Sequence, residues 1–142
     1  HVLYAEDSLP TQFIVKRLLK KLGGVEVTCV SDGKAALEHC TRCVDEEIQI
    51  PDIILMDCQM PMMSGLEATI AIRRLRDANI SRVPIVAVSS GIKSMNKLAC
   101  VEAGMDDYVA KPLNQATLAS ALMNNLPFEL IKDDMNTRIQ TL

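Results

Sequence analysis

The sequence contains no Trp, and its two Tyr and two Phe bring aromatics to only 3%. A stacking platform for single-stranded nucleic acid needs more rings than this, so aliphatic side chains and eight Met must fill the core. Excess positive charge is missing too. Lys and Arg total 15 against 18 Asp and Glu, leaving −3 at pH 7, which argues against nonspecific nucleic-acid binding. No apolar run reaches the roughly 18 residues of a membrane span, and no secretory signal is visible. The expectation is a cytoplasmic domain that contacts neither nucleic acid nor membrane. Because His1 stands directly before an apolar run, the chain reads as a piece of a longer protein. Five Cys make an odd number without framework spacing, which suits a reducing compartment. The C-x-x-C pair Cys40/Cys43 has no second pair to complete a zinc site and reads as small side chains at a helix end.

What is present alternates between two kinds of segment. Short apolar runs at Val2–Ala5, Ile53–Met56, Ile85–Val88 and Tyr108–Ala110 are separated by longer stretches with helical spacing. Ile14, Val15, Leu18, Leu19 and Leu22 form one stripe, and Leu118, Ala119, Leu122, Met123 and Leu126 form another. Ser8 and Pro10 open the first helix and Gly23-Gly24 end it. Continuous apolar strands between helices imply a parallel sheet covered on both faces. One segment, Val25–Cys29, alternates instead and belongs at a sheet edge. The predicted fold class is α/β: a doubly wound five-stranded parallel sheet of order 2-1-3-4-5, flavodoxin-like (α/β)5, with right-handed crossovers.

Residues 1–126 form the predicted domain. Beyond it Phe128, Ile131, Met135, Ile139 and Leu142 recur at steps of three and four, so 127–142 read as a helical extension or linker. The stretch Arg42–Pro51 reads as a long loop. The basic groups Lys16-Arg17, Lys20-Lys21 and Arg73-Arg74/Arg76, and the acidic run Asp45-Glu46-Glu47, read as solvated faces.

Ligands of open α/β sheets sit beyond the carboxyl ends of the strands, where strand order reverses. Strand one ends in Glu6-Asp7, strand three in Asp57, strand four in Ser89-Ser90, and strand five runs into Lys111-Pro112. In the predicted order three carboxylates therefore converge. Crowded like charges repel, and burial adds to the cost. A hard divalent cation and a fixed ammonium would offset both. Oxygen-only donors favour Mg²⁺ (or Mn²⁺) over zinc, with Lys111 as the second positive charge.

Glu6-Asp7, the run Ile54-Leu55-Met56-Asp57-Cys58-Gln59-Met60-Pro61 with Gly65, Pro84-Ile85-Val86-Ala87-Val88-Ser89, and Ala103-Gly104-Met105-Asp106-Asp107-Tyr108 leading to Lys111-Pro112 together resemble two-component response-regulator receiver domains. The likeness covers roughly Val2 to Leu126. It implies that Asp57 is the phosphoacceptor and that Asp7, Glu6, Asp57 and the backbone carbonyl of Gln59 hold the metal. It further implies that the Ser89 hydroxyl and Lys111 bind the phosphoryl group, that Ser89 and Tyr108 are the switch residues, and that Lys111–Pro112 is cis. Glu6 stands where Asp is common, Ser89 where Thr is common, and Ser64 where Asp often precedes the Gly. None of these removes a required group. Ser90 and Gln59 flank the phosphoryl site and are expected to tune dephosphorylation.

The resemblance implies a signalling phosphoacceptor that catalyses only its own phosphorylation and dephosphorylation. Its donor would be a histidine kinase or a histidine phosphotransfer protein, and its output a downstream protein at the face of helix four, strand five and helix five. The wording Asp-x-Gln-Met-Pro and the start of the chain resemble a receiver attached to a hybrid sensor histidine kinase, the cytosolic part of a membrane-anchored protein, with a stand-alone regulator as the alternative; a monomer or weak dimer is expected in either case. A degenerate receiver used as a phosphorylation-independent scaffold is the alternative. Its mark would be loss of the acceptor, an acid or the Lys, and all persist. A haloacid-dehalogenase-type phosphatase would need a second Asp where Gln59 stands. An FMN binder would need a phosphate loop where the acidic Glu6-Asp7-Ser8 lies.

Overall fold

The computed structural model describes residues 1–91 and 94–131. Five parallel strands, β1 (Val2–Ala5), β2 (Val27–Val30), β3 (Ile53–Asp57), β4 (Ile85–Ser89) and β5 (Asp107–Ala110), form one sheet of order β2-β1-β3-β4-β5. The helices between them are α1 (Leu9–Lys21), α2 (Gly33–Asp45), α3 (Gly65–Arg73), α4 (Ser94–Ala103) and α5 (Gln115–Asn125). A single helical turn, Ala78–Ser81, precedes β4. This is the doubly wound arrangement expected from the pattern of apolar runs.

Strand alternation divides the core in two. Val2, Tyr4, Ile53, Leu55, Val86 and Val88 face one layer with Val15 and Leu19 of α1 and Leu118 and Leu122 of α5. Leu3, Ala5, Ile54, Met56, Ile85 and Ala87 face the other, with Ala36 and Cys40 of α2, Ala68 and Ile72 of α3, and Cys100 of α4. β1, β3 and β4 are buried along their whole length, which is why they read as unbroken apolar runs. Each fully buried aliphatic side chain contributes about 1.5–3 kcal/mol relative to exposure.

The helix starts follow from local chemistry. Ser8, Asp32 and Ser64 each accept a hydrogen bond from a main-chain N–H in the first turn of α1, α2 and α3. Asn114 and Thr117 form a reciprocal capping box on α5. Ser64 thus serves as an N-cap as well as Asp would. Past α1, Gly23 and Gly24 have φ of 83° and 66°, the left-handed region where glycine carries no Cβ penalty.

Several expectations are corrected. β2 begins two residues later than the expected Val25–Cys29 and ends one later, at the sheet edge as expected, and its four residues are uniformly half-exposed rather than alternating. The expected loop from Arg42 begins only after Asp45, because α2 continues and its last turn carries a bidentate Arg42–Glu46 pair at i, i+4. Cys40 and Cys43 lie within α2 as buried free thiols. In the expected stripes Ile14 and Met123 point outward. Arg73 is not on a solvated face. Its guanidinium donates to the carbonyls of Gly104, Ser81 and Val83 and pairs with Asp106, clamping α3 to the segments that lead into β4 and β5. Arg76 lies beyond the end of α3. After α5, Phe128–Leu130 form a 3-10 turn and Ile131 packs into the α1/α5 layer. The remainder of the predicted C-terminal helix, with Met135, Ile139 and Leu142, lies outside the described residues.

Candidate functional site

The site forms at the carboxyl ends of β1, β3, β4 and β5. Parallel register puts the end of β1 beside the end of β3, since Ala5 pairs with Met56. Glu6 and Asp57 are therefore neighbours, both at least 96% buried. Asp7, one residue further, is exposed. One carboxylate oxygen from each of Glu6, Asp7 and Asp57 lies within 4.8 Å of the other two.

Lys111 follows β5 and reaches back into this acidic corner. Its Nζ donates to Asp57 Oδ2 at 2.7 Å and to Glu6 Oε2 at 2.9 Å. The Lys111–Pro112 peptide bond is cis. Asp57 Oδ1 accepts from the backbone N–H of Gln59 at 3.0 Å, so both acceptor oxygens are oriented. Glu6 is held further by the N–H of Ser8 and by the Tyr4 hydroxyl, which donates at 3.4 Å from inside the sheet. The Gln12 side-chain amide donates to the Glu6 carbonyl.

Burial, and then the adjacent Asp57, push the Glu6 carboxyl above its ordinary range, while Lys111 pulls it back. Burial works against the Lys111 ammonium, but hydrogen bonds to Asp57 and Glu6 and their charges raise its pKa. The Tyr4 hydroxyl is also pushed up, by burial and then by the charges of Glu6 and Asp57. One ammonium against three carboxylates leaves a cluster that a dication would balance. The donors are all carboxylate oxygens, the set a hard cation prefers, and exposed Asp7 leaves the cluster open to solvent as hydrated Mg²⁺ requires.

Ser89 ends β4, is 8% exposed, and its Oγ accepts from the Gly91 N–H at 3.5 Å; its carbonyl accepts from Lys111 N–H. Between Ser89, Cys58, Gln59 and α4 lies a cavity of about 110 Å³ lined also by Asn96 and Cys100. The Cys58 and Cys100 sulphurs are 3.9 Å apart. The Cys58 thiol is pushed up to about 12 by burial, then by Cys100 and Asp57, so it packs there as a neutral thiol. Tyr108 is exposed on β5, away from the acidic cluster, with Lys97 over its ring. Ser90 is exposed.

The structure thus brings together Glu6, Asp7, Asp57 and Lys111, with Gln59 and Ser89 alongside and Tyr108 at a distance. Sequence reading missed Tyr4 and Gln12. Tyr4 was detectable, since a strand's period of two puts it on the same face as Glu6. Gly65 also matters, because its N–H donates to the Cys58 carbonyl and it packs on the Asp57 main chain.

The sequence profile of the response regulator receiver domain matches residues 2–123. A hybrid signal transduction histidine kinase, kinase I of Dictyostelium discoideum, is 43% identical over 117 residues, covering 82% of this chain and 7% of its own length. The receiver domain of sensor histidine kinase PA1611 from Pseudomonas aeruginosa PAO1, solved with a magnesium ion in its active-site cleft, is 36% identical with a TM-score of 0.74, covering 87% of this chain and 94% of that one. The receiver domain of the histidine kinase CKI1 from Arabidopsis thaliana, complexed with Mg²⁺ and BeF₃⁻, is also 36% identical, with a TM-score of 0.72 and 87% of each chain covered. The chain spans 5–13% of the length of the curated relatives it matches.

Proposed function

The chain belongs to the response regulator receiver domain family, and we propose that its acidic corner accepts a phosphoryl group on Asp57 from a phosphohistidine. The observation that carries this reading is one ammonium shared by two buried carboxylates: Lys111 Nζ lies 2.7 Å from Asp57 and 2.9 Å from Glu6. An exposed third acid, Asp7, stands beside them.

Asp57 attacks the phosphorus in line. The O–P bond forms as the N–P bond of the donor breaks, and the freed imidazole takes a proton from solvent. Because Lys111 and the Gln59 N–H each hold one Asp57 oxygen, the acceptor is fixed before the donor arrives. Lys111 then neutralises one phosphoryl oxygen, and the Ser89 hydroxyl binds another. Glu6, Asp7, Asp57 and the carbonyl of Gln59 would hold Mg²⁺ or Mn²⁺, which supplies the charge stabilisation that a loose phosphoryl-transfer transition state requires. The chain catalyses only its own phosphorylation and dephosphorylation, with Gln59 and Ser90 tuning the second.

The response is conformational. Ser89 moves toward the phosphoryl group and Tyr108 turns from exposed to buried, altering the face formed by α4, β5 and α5 that a downstream protein reads. Residues 1–126 make up this unit, with 127–142 an extension or linker. The chain works as the cytosolic receiver of a larger hybrid histidine kinase, as a monomer or weak dimer, with a histidine kinase or histidine phosphotransfer protein as donor. Similarity to receivers of histidine kinases supports this.

The test is an NMR titration with Mg²⁺ and beryllofluoride. Resonances near Asp57, Ser89, Tyr108 and Lys111 should shift, and Asp57→Asn should abolish the response. Silence of the unmutated protein would favour a phosphorylation-independent scaffold.

A further inference from the structure

Lys97 on α4 places its ammonium 4.2 Å from the centroid of the Tyr108 ring. Tyr108 is 43% exposed there. The strand beneath it is fixed. The Asn125 amide on α5 donates to Asp107 Oδ2 at 2.9 Å, and the Tyr108 N–H donates to Asp107 Oδ1 at 2.8 Å. Any change in ring exposure therefore falls to the Tyr108 side chain rather than to β5. When the ring leaves the outward position, the contact with Lys97 is lost.

We propose that Lys97 is a latch: by holding the Tyr108 ring outward through its cation–π contact, it sets the resting poise of the switch against the phosphorylated-like state. The latch rests on the switch reading given above for Tyr108. A contact made in one state and broken in the other shifts the equilibrium between them by its own strength. For an exposed cation–π pair that strength corresponds to about a two- to five-fold change in population. The resting chain is thereby made less responsive, and any loss of the Lys97 charge makes the same phosphoryl signal more effective. The sign separates the latch from simple electrostatics. Removing a positive charge should weaken binding of an anionic phosphoryl mimic, whereas releasing the latch should strengthen it.

The chain's make-up allows a direct readout. It has no Trp, its only other Tyr is Tyr4, and Tyr4 is fully buried. Acrylamide quenching of tyrosine fluorescence therefore reports Tyr108. The experiment titrates beryllofluoride at fixed Mg²⁺ into the unmutated chain, Lys97→Met and Lys97→Arg, following both quenching and the binding midpoint. The expected result is loss of quenching on binding in the unmutated chain, a midpoint about two- to five-fold lower in Lys97→Met, and an unchanged midpoint in Lys97→Arg, which keeps a cation over the ring. If quenching falls on binding but Lys97→Met binds equally or more weakly, or Lys97→Arg tightens as much as Lys97→Met, the latch is wrong and the switch reading stands. If quenching in the unmutated chain does not change although the mimic binds, the switch reading fails and the latch with it.

Discussion

Gly65 packs so closely on the main chain of Asp57 that a β-carbon at position 65 would collide with the Asp57 carbonyl oxygen. The first residue of α3 is thereby pressed against the residue that ends β3, and the loop between them is held in the shape that orients Asp57. Gly65→Ala should destabilise the chain by about 1–3 kcal/mol, the usual cost of overpacking, and should slow acceptance of a phosphoryl group. Among the described residues, nothing lies within 4 Å of where a β-carbon on Gly91 would sit, so Gly91→Ala is the control and should change neither. Denaturant unfolding and a phosphorylation time course check both.

Lys111 bridges two carboxylates that are almost wholly buried. Lys111→Met leaves them facing each other without a cation. Breaking a buried pair costs about 3–5 kcal/mol, and the partial exposure of Lys111 should hold the loss to the lower end of that range. Added Mg²⁺ should restore more stability to Lys111→Met than it adds to the unmutated chain, and chelation by EDTA should remove that gain. Thermal unfolding with and without the ion measures it.

Arg73 satisfies three main-chain carbonyls and Asp106 with one guanidinium. Arg73→Ala should lose about 2–3 kcal/mol, since hydrogen bonds to a charged group are among the stronger ones. Arg73→Lys should recover only part of it, because an ammonium lacks the planar fork. Urea unfolding of the two variants distinguishes a clamp from a solvated charge.

His39 carries a buried ring nitrogen without a hydrogen-bond partner among the described residues, and burial, then Arg42, lower its pKa below 6.5. A base whose folded pKa is depressed binds fewer protons folded than unfolded in the window between its two values. Its contribution to stability is therefore complete above 6.5 and is lost as the pH falls from 6.5 through the folded value. The stability of the unmutated chain should drop more between pH 7.5 and 5.5 than that of His39→Leu. Equal slopes in paired denaturation series would contradict this.

Much of this was legible before any coordinates. β1, β3 and β4 are buried on both faces, so their residues form unbroken apolar runs, and the carboxylates and the amine at the strand ends followed from sheet order. The failures have physical causes. Edge strand β2 is half-exposed throughout, so alternation placed its start two residues early. The end of α2 looked like a loop because its charged residues masked the buried face of Ala36, Cys40 and Cys43, which continues into the last turn beside an exposed i, i+4 ion pair. Arg73 looked solvated because helical periodicity says nothing about carbonyls supplied by segments distant in the chain. Tyr4 looked like ordinary core because only its hydroxyl, not its ring, meets Glu6.

The function proposed for this chain stands on Asp57 accepting a phosphoryl group with the help of a divalent cation and Lys111. Incubation with acetyl phosphate, read by intact mass, tests it most directly. The mass should rise by one phosphoryl group, in a reaction that requires Mg²⁺ and gives a product labile as an acyl phosphate, and Asp57→Asn should show no rise. A gain that persists in Asp57→Asn, or no gain in the unmutated chain at saturating Mg²⁺, would contradict it.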